Sequence, residues 1–155
     1  MNMRNEISLK EVQENAEVLY RKGFSCSESV VGAIRDSFEL DISQDIIALA
    51  TGFSGGIGKA GCTCGALSGG VMALGIFFGR TRLEESTEVC HRSCCELHDY
   101  FKEETGKNTV CCRVLTRGLN LSKGEHKSKC VHYVGIVAYK VAEIVLRECP
   151  DTSNK

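Results

Sequence analysis

The 155-residue sequence contains a single proline, Pro150, and no tryptophan. Because proline is nearly absent, few positions lack the backbone N–H group that a helix interior needs. Neither sign of charge dominates: the net charge is −1, and acidic and basic residues are spread evenly. This balance argues against a surface that tracks nucleic-acid phosphates and against a polybasic membrane anchor. We therefore expect no nucleic acid partner.

Long hydrophobic runs are also missing. The N-terminal residues 1–8 are polar and lack the apolar stretch of a secretory signal, and the longest apolar run is too short to cross a bilayer. We expect a cytoplasmic protein without membrane insertion. Since we find no internal repeat or linker, residues 1–155 are predicted to form one domain with an ordinary hydrophobic core.

Hydrophobic periodicity and capping residues predict an all-α fold, a compact bundle of six to seven helices. Two capping boxes, Ser8 with Glu11 and Ser25 with Glu28, mark the first two helix starts. The predicted helices cover about residues 9–22, 26–38, 45–51, 64–78, 83–104, 110–115 and 129–149.

The fourth of these segments, residues 64–78, is apolar nearly all round. Its small residues recur at four-residue spacing, as in Gly65 with Gly69 and Ala66 with Gly70. Such spacing lets neighbouring helices approach closely, so we predict a central helix that is rich in small residues. The same faces would allow a homodimer.

The fifth segment carries a sevenfold repeat that is predicted to be its buried stripe. The stripe consists of Leu83, Cys90 and Leu97, with Thr87, Cys94 and Phe101 beside them.

Five glycines fall within residues 52–61, just before the central helix. The segment fits neither the P-loop nor the dinucleotide-binding fingerprint. Glycine nonetheless lets the backbone wrap tightly around a buried site. Four of the glycines are therefore candidates for contact with a cofactor: Gly55, Gly56, Gly58 and Gly61.

Ten cysteines are the outstanding feature of the composition. In a reducing compartment this number indicates metal ligation or redox chemistry more than a disulfide framework. Four of them begin predicted helices, where free backbone N–H groups and the helix dipole favour a thiolate and lower its pKa. If these helix starts converge, their thiolates could hold an iron–sulfur cluster, with [2Fe–2S] as the expected type. The four are Cys26, Cys64, Cys112 and Cys130.

Several alternatives stay open. Cys62 and Cys64 form a C-x-C pair that could cycle between dithiol and disulfide, or carry a persulfide, without metal. Zinc could instead staple a structural or interaction module. On the long helix, three residues share one face at a spacing that could hold zinc: His91, Cys95 and His98. An ordinary solvated helix face is the stronger interpretation of these residues.

Other candidates compete for the same roles. Cys111 competes with Cys112, because adjacent helical residues point about 100° apart and only one faces a given site. His126 and His132 flank Cys130, and either is an alternative ligand. Cys149 is interpreted mainly as a small buried apolar residue, and for Cys90 and Cys94 this interpretation stays open beside a functional one.

Four motifs of the chain resemble one family. They are Gly23-Phe24-Ser25-Cys26, Cys64-Gly65-Ala66-Leu67-Ser68-Gly69, Val110-Cys111-Cys112-Arg113-Val114-Leu115, and Cys130 in the closing helix. Together, over about residues 14–147, they resemble the redox-active C_GCAxxG_C_C family. The family name writes the glycine before the cysteine, whereas Cys64 precedes Gly65 here.

The resemblance implies that Cys26, Cys64, Cys112 and Cys130 are the shared set. It also extends to split-Soret cytochromes, which carry this kind of domain together with c-type haem. Because the chain has no Cys-x-x-Cys-His motif, haem is not expected. We expect a redox partner protein or a small electron carrier, and leave open whether the protein is an oxidoreductase.

Overall fold

The computed structural model describes residues 7–150, and its regular elements in that range are all helices. The predicted all-α class is therefore confirmed. Besides the helices, two extended segments of the described residues pair through an isolated antiparallel bridge between Thr63 and Cys111. The helices are α1 (Leu9–Arg21), α2 (Cys26–Ser37), α3 (Asp45–Thr51), α4 (Gly65–Phe78), α5 (Glu88–Glu104), α6 (Cys112–Leu115) and α7 (Lys127–Glu148).

The first two helix starts follow directly from their capping residues. The Ser8 hydroxyl accepts a hydrogen bond from the backbone N–H of Glu11 at 3.4 Å. At α2 the capping box is complete, because Ser25 accepts from the Glu28 N–H while the Glu28 carboxylate accepts from the Ser25 N–H at 2.8 Å. This box makes Cys26 the first residue of α2.

Helix α4 packs against α2, α5 and α7, as its small residues predict. A Cβ atom added to Gly69 would lie 2.7 Å from the carbonyl oxygen of Ser27 in α2. One added to Gly70 would lie 2.8 Å from a methyl carbon of Leu97 in α5. Glycine at these positions is what lets the neighbouring helices come so close.

The longest helix, α7, crosses α1, α2, α4 and α5 and supplies much of the core. Its apolar face is buried, with each large side chain contributing roughly 1.5–3 kcal/mol on transfer from water. That face carries Val134, Val137, Val141 and Ile144. Over the residues that the structure describes, no helix is both long and apolar enough to cross a membrane.

Helix α5 begins at Glu88, five residues later than predicted. The Glu85 carboxylate accepts hydrogen bonds from the backbone N–H groups of Thr81 (2.9 Å) and Arg82 (3.3 Å), which forms a turn before the helix. Leu83 lies in this turn and is 82% exposed. Its predicted place in the buried stripe is therefore wrong, because local side-chain bonding to the backbone replaces the first helical turn.

The rest of the stripe is partly confirmed. Leu97 and Phe101 are fully buried, whereas Cys90 and Cys94 are half-buried. Thr87 precedes the first residue of the helix. The buried face of α5 therefore runs from Ser93 through Leu97 to Phe101, and the first turn of the helix does not contribute to it.

Candidate functional site

A cavity of about 880 Å³ opens where the N-terminal ends of several helices meet. Four cysteines from four different helices line it: Cys26, Cys64, Cys112 and Cys130. They are the first residue of α2, the residue before α4, the first residue of α6 and the fourth residue of α7. The structure thus brings together the four thiols that share the helix-start context in the sequence.

Two of these cysteines are fixed by the short extended pairing. The Cys64 N–H donates to the carbonyl oxygen of Val110 at 2.7 Å, and the Cys112 N–H donates to that of Cys62 at 2.5 Å. These bonds flank the bridge between Thr63 and Cys111. They fix the backbone before α4 against the backbone before α6, so both cysteines lie on one side of the cavity.

The glycine-rich loop shapes the cavity. Gly55, Gly56, Gly58 and Gly61 all have positive φ, a conformation that glycine adopts without strain. Gly55 and Gly61 line the cavity, whereas Gly58 is exposed. Gly56 is buried behind Cys112, since a Cβ atom there would lie 2.8 Å from the Cβ of Cys112. Two of the four candidate glycines therefore border the cavity directly.

Gly65 brings α4 close to α2. A Cβ atom at this position would overlap with the sulfur of Cys26 and would lie 2.8 Å from the carbonyl oxygen of Phe53. Cys64, the preceding residue, is 6% exposed and lines the cavity. In this Cys-Gly order, Cys64 places its thiol at the cavity wall, and Gly65 allows the close contact between α4 and α2.

Backbone N–H groups point at the buried sulfurs. Those of Gly55 and Ser27 donate to the thiol of Cys26, and those of Leu67 and Ala66 donate to the thiol of Cys64. Each donor favours the thiolate, as expected at a helix start.

Burial nonetheless decides the protonation of these thiols. Loss of water contact, followed by repulsion from Cys26, raises the pKa of Cys64 to about 12 and that of Cys130 to about 11. Burial likewise raises the pKa of Cys26 and of Cys112. The lowered pKa expected from the helix starts is therefore wrong, because desolvation and mutual repulsion outweigh the N–H donors.

Tyr20 is a site residue that our sequence analysis missed. Its hydroxyl donates a hydrogen bond to the sulfur of Cys130, and burial raises the pKa of the phenol, so the donor proton is retained at neutral pH. The spacing gives a signal, because Tyr20 follows Val12 and Ala16, both buried, at steps of four. A phenol on a buried helix face needs a polar partner.

Other candidate thiols lie elsewhere. Cys62 is exposed and is not part of the cavity wall, so its surroundings differ from those of Cys64. The Cys111 thiol donates to the carbonyl oxygen of Gly61 at 3.3 Å and does not line the cavity. Between Cys111 and Cys112, the structure thus places Cys112 at the cavity.

The histidines are also separated. His91 and Cys95 are exposed on α5, and His98 bonds to Asp99 with a 2.9 Å distance between Nδ1 and Oδ1. His126 lines the cavity, whereas His132 is exposed. Within residues 7–150, no three His, Cys, Asp or Glu side chains are grouped so that they could hold a single metal ion. The four cavity thiols thus line one cavity without forming such a group.

Comparison with known proteins agrees with the cysteine arrangement. Residues 24–144 match the family described as "Putative redox-active protein (C_GCAxxG_C_C)", and the chain belongs to this family. A protein of Archaeoglobus fulgidus, described as an uncharacterized protein, is 26% identical over 135 residues, which cover 82% of this chain and 85% of that protein. No solved structure matches the chain. Redox activity is therefore the class of function that the family indicates.

Proposed function

We propose that this protein is an electron-transfer or redox protein that binds an iron–sulfur cluster, of the [2Fe–2S] type, through Cys26, Cys64, Cys112 and Cys130. The observation that carries the proposal is that these four thiols, from four helices, line one cavity. Four cysteine thiolates are the usual ligands of such clusters, and the cluster supplies one-electron transfer when bound. A partner protein or small electron carrier would exchange the electrons.

The shape of the site favours a cluster over zinc. A structural zinc ion needs its sulfur ligands about 2.3 Å from one point. Here the sulfurs surround a cavity of about 880 Å³, and no three candidate ligands in residues 7–150 are grouped for a single ion. A [2Fe–2S] cluster distributes its four thiolate ligands over two iron atoms, so its ligands need not converge on one point.

The charges around the sulfurs also support an iron–sulfur group. The metal-free thiols hold their protons, because burial raises the pKa of each one and repulsion from Cys26 adds to the effect at Cys64, Cys112 and Cys130. Iron supplies the positive charge that allows four thiolates to coexist, so binding would release protons. Tyr20 and the N–H groups of the first helical turns then hydrogen-bond to the thiolate sulfurs, which tunes the reduction potential.

The test is the metal content of anaerobically purified protein, together with its visible absorption. We expect iron with equimolar sulfide, and we expect Cys64→Ser to lose both. Cys95→Ser is the matched control, because Cys95 is exposed on α5 and outside the cavity. Zinc without sulfide would instead support a structural module. Metal-free protein with a titratable disulfide would support thiol chemistry of Cys62 and Cys64.

A further inference from the structure

The wall of the cavity carries charge of one sign. Four basic side chains line it, and no Asp or Glu residue is among the described residues that do so; the four are Arg21, Lys59, Arg113 and Lys127. Side chains of like charge repel one another unless an anion lies among them. The cavity therefore favours a negatively charged occupant.

Three of these basic side chains are not neutralised by a carboxylate of the described residues. Arg21 lies 3.7 Å from the Glu17 carboxylate, but Lys59, Arg113 and Lys127 form no ion pair with any residue from 7 to 150. All three are exposed, whereas Cys64 is 6% exposed. The basic residues thus mark the mouth of the cavity, and the cysteines mark its inner end.

The basic side chains are also positioned. The Arg113 guanidinium donates to the carbonyl oxygen of Ala60 at 2.9 Å, which holds it beside the glycine-rich loop. Lys127, the first residue of α7, also lines the cavity. A guanidinium held in this way keeps further N–H donors for a carboxylate or phosphate.

Apolar side chains at the cavity also point to a ligand. Phe24 and Leu121, which also line the cavity, are 45% and 55% exposed. Exposed apolar side chains at a cavity suit a ligand with an apolar part.

We propose that the mouth of this cavity binds a small organic anion, with its carboxylate or phosphate group on Arg113 and Lys127 and its apolar part against Phe24 and Leu121. The volume of about 880 Å³ is in the range of small-molecule sites. This binding site goes beyond the proposed cluster and does not require it. If the cations served only to neutralise an iron–sulfur group, no added anion would bind.

The test is isothermal titration of the protein as purified with phenyl phosphate, benzoate, inorganic phosphate and phenol. We expect phenyl phosphate or benzoate to bind about tenfold more tightly than inorganic phosphate, because an aromatic ring adds buried apolar area. Phenol, which is uncharged, should not bind measurably. The first two compounds distinguish a phosphate ligand from a carboxylate ligand.

Two charge variants locate the site. Arg113→Gln and Lys127→Gln should each weaken binding of the better anion about tenfold, the cost of one charge-assisted hydrogen bond. Lys107→Gln removes an exposed charge outside the cavity and should change nothing. Equal affinities in all three variants would overturn the proposal.

The visible absorption of each sample separates this inference from the proposed function. If protein that contains iron and sulfide binds no anion, the anion site is contradicted and the proposed cluster is not. Binding by protein that contains no iron would support the anion site while contradicting the cluster.

Discussion

Two groups of cysteines in this molecule have the same chemistry but different surroundings. The cavity group comes from the starts of four helices that are far apart in the sequence. The other group lies within two turns of one helix, α5, at Cys90, Cys94 and Cys95. Only the first group lines a cavity with additional donors. The candidate site is therefore built by helices that converge in the fold, and not by cysteines that are close in the sequence.

Two of the three α5 thiols interact with each other. Cys90 and Cys94 share a hydrogen bond, and burial together with the neighbouring Cys90 raises the pKa of Cys94 to about 11. Cys95 is exposed, with Asp99 as its nearest polar partner at 4.0 Å. Removing thiols from α5 should therefore leave the cavity intact.

The largest effect is expected at the close contact between α4 and α2. Gly65→Ala adds a Cβ atom that overlaps with the sulfur of Cys26, so we expect a loss of roughly 1–3 kcal/mol of stability and of the iron signal. Gly75→Ala is the matched control in the same helix, where an added Cβ atom meets nothing within 4 Å. It should stabilise the protein by about 0.5–1 kcal/mol.

Urea unfolding of the two glycine variants, with iron analysis of each, checks this prediction. Equal stability and equal iron content would show that the helix starts are not packed as tightly as we infer.

A smaller effect is expected for the ion pairs that join α5 to α7. Arg147 donates two hydrogen bonds to the Glu96 carboxylate, at 2.9 and 2.7 Å, and Lys140 lies 3.2 Å away. These partners, Arg147 first, lower the pKa of Glu96 from 4.5 to about 2. Glu96→Gln should cost roughly 1 kcal/mol at pH 7.

The pH dependence follows from that shift. A carboxylate whose pKa is lowered by folding stabilises the protein above about pH 4.5, and this contribution is lost as the pH falls towards 2. The wild type and Glu96→Gln should therefore converge in thermal stability near pH 2, with unchanged visible absorption at pH 7. The exposed Glu103→Gln serves as the control, and a constant difference at every pH would contradict the assignment.

The smallest effect is expected at Tyr20. Tyr20→Phe removes the hydrogen bond to the Cys130 sulfur and should leave the iron content unchanged. Because such a bond stabilises the more negative, reduced site, its loss should lower the reduction potential by on the order of 50 mV. Tyr139→Phe, on α7 outside the cavity, is the control for protein-film voltammetry. An unchanged potential would mean that the phenol does not act on the redox group.

Local chemistry explains which parts of the fold the sequence predicts. The Ser25–Glu28 capping box is complete within a few residues, so the start of α2 and the position of Cys26 follow from the sequence. The start of α5 does not, because the Glu85 carboxylate bonds to the backbone of Thr81 and Arg82 in competition with a helix that the periodicity favours.

The sequence predicts which thiols form the site, but not their pKa values or their contacts with other helices. A shared helix-start context selects the four cavity thiols without any knowledge of the fold. Their raised pKa values depend on burial and on each other's charge, which arise only when the helices assemble. The hydroxyl of Tyr20 reaches Cys130 from another helix for the same reason. Long-range packing is thus the missing information in both cases.

The most direct test compares neighbouring cysteines that differ mainly in which way they point. Cys112 lines the cavity, whereas the Cys111 thiol donates to the carbonyl oxygen of Gly61, a bond that serine can replace. Iron and sulfide analysis of anaerobically purified Cys112→Ser and Cys111→Ser is the measurement. Our account predicts that Cys112→Ser loses iron and sulfide while Cys111→Ser keeps both. Retention in Cys112→Ser together with loss in Cys111→Ser would contradict it.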